Sequence, residues 1–156
     1  MIFLKPLDSP EDDFTRLMTR GAGLLEKGDA TNAVAICLQA VSLAPESLDA
    51  RLNLANAYLL AGEDQKTIEH CQEALNLDRE SGAAYYLLGV AHLHLNQAEQ
   101  AVQAFQLSKR IDSAVTALNF QLGLAQERFG QMDEAISTFE TLLQFEPEHA
   151  SAHYQL

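Results

Sequence analysis

The chain repeats itself every 34 residues. Gly28-Asp29 returns as Gly62-Glu63, Asn96-Gln97 and Gly130-Gln131, and Gly21 returns as Ala55, Gly89 and Gly123. Ala33 returns as Thr67, Ala101 and Ala135, and Pro45 returns as Pro147. A fixed period of this length means copies of one supersecondary unit that bury their apolar faces only by stacking on each other. The period divides the 156 residues into four units, 14–47, 48–81, 82–115 and 116–149. A partial fifth unit, 150–156, follows them, and an arm, 1–13, precedes them and runs into the first helix.

Each unit reads as a helical hairpin. In the second unit Leu52, Leu54, Ala55, Tyr58 and Leu59 recur at three- and four-residue steps, the spacing of one helix face. Ala61-Gly62-Glu63 interrupts the run, and a second helical run follows through Ile68, Cys71, Ala74, Leu75 and Leu77. Pro45 and Pro147 close the first and fourth units, where a helix has to stop. Ser9, Pro10, Glu11 and Asp12 form a start signal for the first helix. Small residues on the two helices of each hairpin permit close approach, with Tyr58, Tyr85, Cys37, Cys71, Phe105, Phe139, Leu54, Leu88 and Leu122 filling the core around them. The fold class is therefore all-α, a solenoid of stacked helix-turn-helix units. The stub at 150–156 is expected to be helical, to pack on the fourth unit, and to set Leu156 at the core place of Leu122.

Composition narrows the function classes. With 47% hydrophobic residues the chain has enough apolar side chains for a core. The formal net charge of −12 argues against nucleic acid and anionic membranes, both of which need clustered Lys and Arg. Solvated outer helix faces are the expected account of the acidity, with steering of a basic partner as the alternative. No apolar run approaches the ~20 residues of a membrane span, and the segment from Met1 to Leu7 lacks the pattern of a signal peptide. Read from Met1, the chain is expected in the cytoplasm. Cys37 and Cys71 occupy the same place in consecutive units, and equivalent helices roughly 10 Å apart are too distant for a disulfide.

At these positions the sequence resembles the tetratricopeptide repeat family. The third unit carries Tyr85, Leu88-Gly89, Ala101 and Phe105, and the fourth carries Leu122-Gly123, Gly130, Ala135, Phe139 and Pro147. The resemblance covers residues 14–156 and implies a right-handed superhelix whose first helices line a concave groove. Arg20 departs from it, standing where the other units have Leu, so the first helix is expected to be distorted or to act as a cap. Thr67, Leu142 and Asn96 depart from the usual Ala, Ala and Gly.

No constellation of catalytic residues emerges. His92 and His94 point in different directions on a helix, and His149 and His153 share a face but have no evident third ligand. No carboxylate pair, phosphate loop or nucleophile triad is supported by spacing. The chain is read as non-enzymatic, with no cofactor and no metal.

The resemblance directs attention to the concave face. Carried onto this chain, its inward rows are Met18, Leu52, Tyr86 and Phe120; Ala22, Asn56, Val90 and Leu124; and Leu25, Leu59, Leu93 and Glu127. Most are large and apolar, which an exposed surface rarely sustains. The alternative is that the superhelix or the second helices seal these rows. Asn53, Asn56 and Gln121 supply amides that both donate and accept, and His94 and Arg128 are expected to add a cationic rim. Some family members grip a carboxylate tail with Lys and Asn. Here Met18, Ala22, Leu87 and Val90 stand at those places, so an apolar or amphipathic segment is the better ligand. Tyr86→Ala and Phe120→Ala are expected to leave stability nearly unchanged.

The resulting expectation is a protein-interaction scaffold that binds a peptide or protein segment in its groove. The alternatives are a targeting arm of a larger enzyme, such as a glycosyltransferase or sulfotransferase, and a self-assembly module acting through the N-terminal arm or the C-terminal end. The strip of Ile2, Phe3, Leu4 and Leu7 is expected to dock on an apolar surface, above all the groove, the alternative being an undocked chain terminus.

Overall fold

A computed structural model describes residues 10–112 and 116–156, and every regular element among them is a helix. In chain order these are α1 (Pro10–Glu26), α2 (Ala30–Leu43), α3 (Leu48–Leu60), α4 (Asp64–Leu77), α5 (Gly82–His94), α6 (Ala98–Ile111), α7 (Thr116–Phe129), α8 (Met132–Phe145) and α9 (Ala150–Gln155). Consecutive helices pack as antiparallel hairpins, and each hairpin stacks on the next, giving an α-solenoid. The first helices also touch one another along one face, α1 to α3, α3 to α5 and α5 to α7. The expected Ser9 cap and the docking of residues 1–7 lie outside the described residues.

The turn inside each hairpin is the same four times. Gly28, Gly62, Asn96 and Gly130 have φ of 73°, 74°, 59° and 88°. The following residue donates its backbone N–H to a carbonyl five positions back, as from Glu63 to Tyr58 at 2.9 Å and from Gln97 to His92 at 2.8 Å. This closes the first helix with a left-handed residue and ties up its last carbonyls. Between hairpins, Ser47 and Ser81 cap α3 and α5 by accepting from the N–H groups of Ala50 and Ala84.

The core runs along the solenoid as linked clusters. Leu54 of α3 packs on Ala33 and Cys37 of α2, while Leu118, Leu122 and Ala125 of α7 pack on Val102 and Phe105 of α6. Thr67, the departure from Ala, is fully buried, and its hydroxyl donates to the carbonyls of Ala55 and Glu63. Arg20 does not distort α1, which is one unbroken helix. Its counterpart Leu54 is buried against the preceding hairpin, whereas Arg20 is exposed because no described helix precedes α1. The stub forms α9, with Ala152 buried against Phe139 and Leu142. Leu156, expected at a core place, is instead 55% exposed. It lies one residue beyond the end of α9, so no helical turn holds it against α8.

Candidate functional site

The inward faces of α1, α3 and α5 line an open hollow of about 710 Å³. Met18 and Ala22 come from α1, Leu52, Asn53 and Asn56 from α3, and Tyr86 from α5. Helix geometry explains the set: Leu52, Asn53 and Asn56 lie within about one turn, so a single stretch of α3 presents all three. Equivalent positions on α1 and α5 lie alongside because the hairpins stack in register. Thr19, Asp49 and Ala83, which were not singled out from the sequence, complete the lining with Leu87, which was named there only as an apolar residue at a carboxylate-grip place. Thr19 and Leu87 share the row of Asn53, and Asp49 and Ala83 lie three residues before Leu52 and Tyr86. The signal was present in the period.

The predicted rows do not form one continuous surface. Phe120 and Leu124 line a separate hollow of about 410 Å³ with Ala150, Ser151, Tyr154 and Gln155. Val90 and Leu59 are half-buried and pack against core clusters, and Gln121 is half-buried and lines neither hollow. Leu93 departs most from the expected groove: it is 5% exposed and sits among Val102, Phe105, Leu118 and Leu122. The cause is α7, which crosses the end of α5 closely enough for the Arg128 guanidinium to donate to the Leu93 carbonyl at 3.1 Å. Arg128 is thereby committed to a structural contact, and the His94 ring lies 2.8 Å from the Asp64 carboxylate. At the places where a cationic rim was expected, both side chains thus contact the protein's own groups.

Tyr86 and Phe120 face two ways. The Tyr86 ring packs on Phe105, with centroids 5.9 Å apart at 56°, and the Phe120 ring packs on Phe139 at 6.0 Å and 53°. Burial raises the Tyr86 phenol above its ordinary value, which keeps it a neutral hydroxyl. Removing either ring therefore opens the core beneath it, contrary to the expectation that both are dispensable for stability.

The titratable groups are held by the fold. The His149 ring accepts from the Ala152 N–H and caps α9, while His153 donates to the Pro147 carbonyl at 2.7 Å. Cys37 and Cys71 are free and buried; burial pushes the Cys71 thiol up to about 12 and also raises Cys37. Both stay protonated near neutral pH and serve as packing residues. Among the described residues no group of three or more His, Cys, Asp or Glu side chains is placed to hold a metal ion. No helix among them is long and apolar enough to cross a membrane.

Comparison with known proteins agrees with this architecture. Family models described as tetratricopeptide repeat match residues 24–66, 72–115 and 116–149. Among solved structures, MamA is similar with a TM-score of 0.79 and 25% identity, covering 93% of this chain and 79% of that one. TTC0263, a thermophilic TPR protein of Thermus thermophilus, has a TM-score of 0.77 at 20% identity, covering 86% and 75% of the two chains. YrrB, described as a TPR protein with an unusual peptide-binding site, has a TM-score of 0.74 at 24% identity, covering 89% and 72%. No curated protein matches the sequence significantly.

Proposed function

The chain belongs to the tetratricopeptide repeat family, and from that premise we propose that it is a non-enzymatic scaffold holding a peptide or protein segment in the hollow between α1, α3 and α5. The observation that carries this reading is the composition of that hollow. Met18, Leu52 and Tyr86 form an apolar floor, and Asn53, Asn56, Thr19 and Asp49 stand at its polar edge. An apolar segment buries its side chains on the floor at about 25 cal/mol per Å². The two Asn amides satisfy backbone N–H and C=O groups that the segment would otherwise leave without partners. Asp49 favours a segment with a basic residue beside its apolar ones. The description of YrrB as peptide-binding is consistent with this class of ligand.

Tyr86 is unsuitable for the test because it also supports the core. Ala22 and Asn56 are exposed and line the hollow, so they probe the surface alone. A displayed peptide library selected on the wild-type chain is expected to yield apolar or amphipathic sequences with basic residues. Their affinity should fall at least tenfold on Ala22→Glu or Asn56→Ala, with the melting temperature unchanged. Peptides that bind both variants as tightly as wild type would place the binding surface elsewhere.

A further inference from the structure

A cavity of about 770 Å³ lies outside the groove, between α1 and α2 on the end of the solenoid that no described helix covers. Leu17, Leu38 and Leu43 line it, with Arg16, Arg20 and Asp13 at its rim. Leu43 carries no weight, because its counterparts Leu77, Ile111 and Phe145 are exposed and apolar too. Leu38 is different. It is 41% exposed, and the other three units place Gln72, Gln106 and Glu140 at the same position. Leu17 likewise stands where the others have Arg51, Tyr85 and Asn119. In the second hairpin the equivalent space is occupied: Arg51 pairs with Glu73 and donates to the Pro45 carbonyl at 2.7 Å. The first hairpin has Leu17 and Gln39 in place of that pair and leaves an open apolar crevice. An apolar surface built only in the terminal unit calls for a cover specific to that end.

We propose that this cover is the chain's own residues 1–9, which close the N-terminal end of the solenoid and leave the concave groove to its ligand. The segment carries Ile2, Phe3, Leu4 and Leu7 directly ahead of α1. Counted back by the 34-residue period, residues 1–9 are the counterparts of 35–43, the second half of α2. In that register Ile2 and Phe3 correspond to the buried Ile36 and Cys37, so the segment carries apolar residues at the counterparts of core positions. Reach is sufficient: Arg20, at the far side of the crevice, is about 15 Å along α1 from Pro10, and nine residues extend to about 30 Å. A short tether also supplies the segment at roughly millimolar effective concentration, against which a separate partner or a second copy has to compete.

The test uses the full-length chain in four forms: wild type, Phe3→Asp/Leu4→Asp, Leu38→Glu, and all three substitutions together. Each altered surface alone is expected to lower the melting temperature by a few degrees, and the combination to lower it no further, because both disrupt one contact. A synthetic peptide of residues 1–9 should bind the Phe3→Asp/Leu4→Asp chain saturably. That binding should weaken at least tenfold when Leu38→Glu is added and stay unchanged when Ala22→Glu is added in the groove. Additive losses of stability overturn the proposal, as does peptide binding that Ala22→Glu abolishes. A wild-type dimer that becomes monomeric in Phe3→Asp/Leu4→Asp also overturns it, because the segment then serves a second copy. Circular dichroism at 222 nm confirms that each variant is folded, which is expected because Leu38 is not part of a core cluster.

Discussion

Side-chain size is matched across each hairpin, residue against residue. A Cβ built on Gly89 would lie 2.6 Å from Cε1 of Phe105, and one on Gly123 would lie 2.6 Å from Cε1 of Phe139. In the second hairpin Ala55 faces Cys71 instead, a larger residue over a smaller one. The first hairpin pairs Gly21 with Cys37, and a Cβ there would lie 3.1 Å from the sulfur. The two kinds of pair predict opposite outcomes. Gly89→Ala should destabilise by ~1–3 kcal/mol, because an aromatic ring fixed on all sides has to move. Gly21→Ala should be neutral or stabilising by up to ~1 kcal/mol, since Ala55 over Cys71 already shows the pair accommodated and Ala gains helix propensity. Phe105→Cys in the Gly89→Ala background should relieve the clash but leave a cavity in place of the ring, so the double variant should be less stable than Gly89→Ala alone. Denaturant titration of the three variants measures all of this; equal effects of Gly21→Ala and Gly89→Ala would contradict the size-matching account.

At the scale of the element, the recurring turn sets the length of each first helix. Three of the four left-handed positions are Gly, and Asn96 is the fourth, with φ of 59°. Asn tolerates this region better than other side chains but less well than Gly. Asn96→Gly should therefore leave stability unchanged or raise it slightly, while Asn96→Val should lower it by ~1–2 kcal/mol. Amide exchange of Gln97, which donates to the His92 carbonyl at 2.8 Å, reports the local state directly. Exchange in Asn96→Val as slow as in wild type would show that the turn does not depend on this residue.

Across the whole molecule helices touch within a hairpin or between adjacent hairpins, so the ends differ from the middle. Ile68 and Val102 are 6% and 4% exposed, while Ile136, at the same place in α8, is 45% exposed. The difference is the first helix that follows: α7 lies over Val102, and the six-residue α9 does not extend over Ile136. Ile68→Glu should cost ~3 kcal/mol or more, because it buries an unpaired charge. Ile136→Glu should stay within about 1 kcal/mol. Thermal unfolding of the two variants checks the gradient, and equal losses would mean that α8 is covered in solution. Amide exchange in wild type should show the same gradient, fastest in α1 and α9 and slowest from α3 to α6.

The 34-residue period by itself determined the hairpins, their turns and the stacking order, because every one of these is a local consequence of helical spacing and a left-handed residue. The resemblance to the tetratricopeptide repeat family, carried along the period, added the expectation that Met18, Leu52, Asn53, Asn56 and Tyr86 share the inward face. Tertiary packing decided which of those positions stay open. Leu93 has the same sequence spacing as Leu59, yet α7 closes over it, and the contact from Arg128 lies 35 residues away. Tyr86 and Phe120 were legible as groove residues but not as supports for Phe105 and Phe139, because a half-buried ring has two faces and the pattern reports only one. The α1–α2 crevice was signalled only by Leu17, Leu38 and Gln39, and positions where one unit differs from the others acquire meaning only when the neighbouring surface is seen to be uncovered.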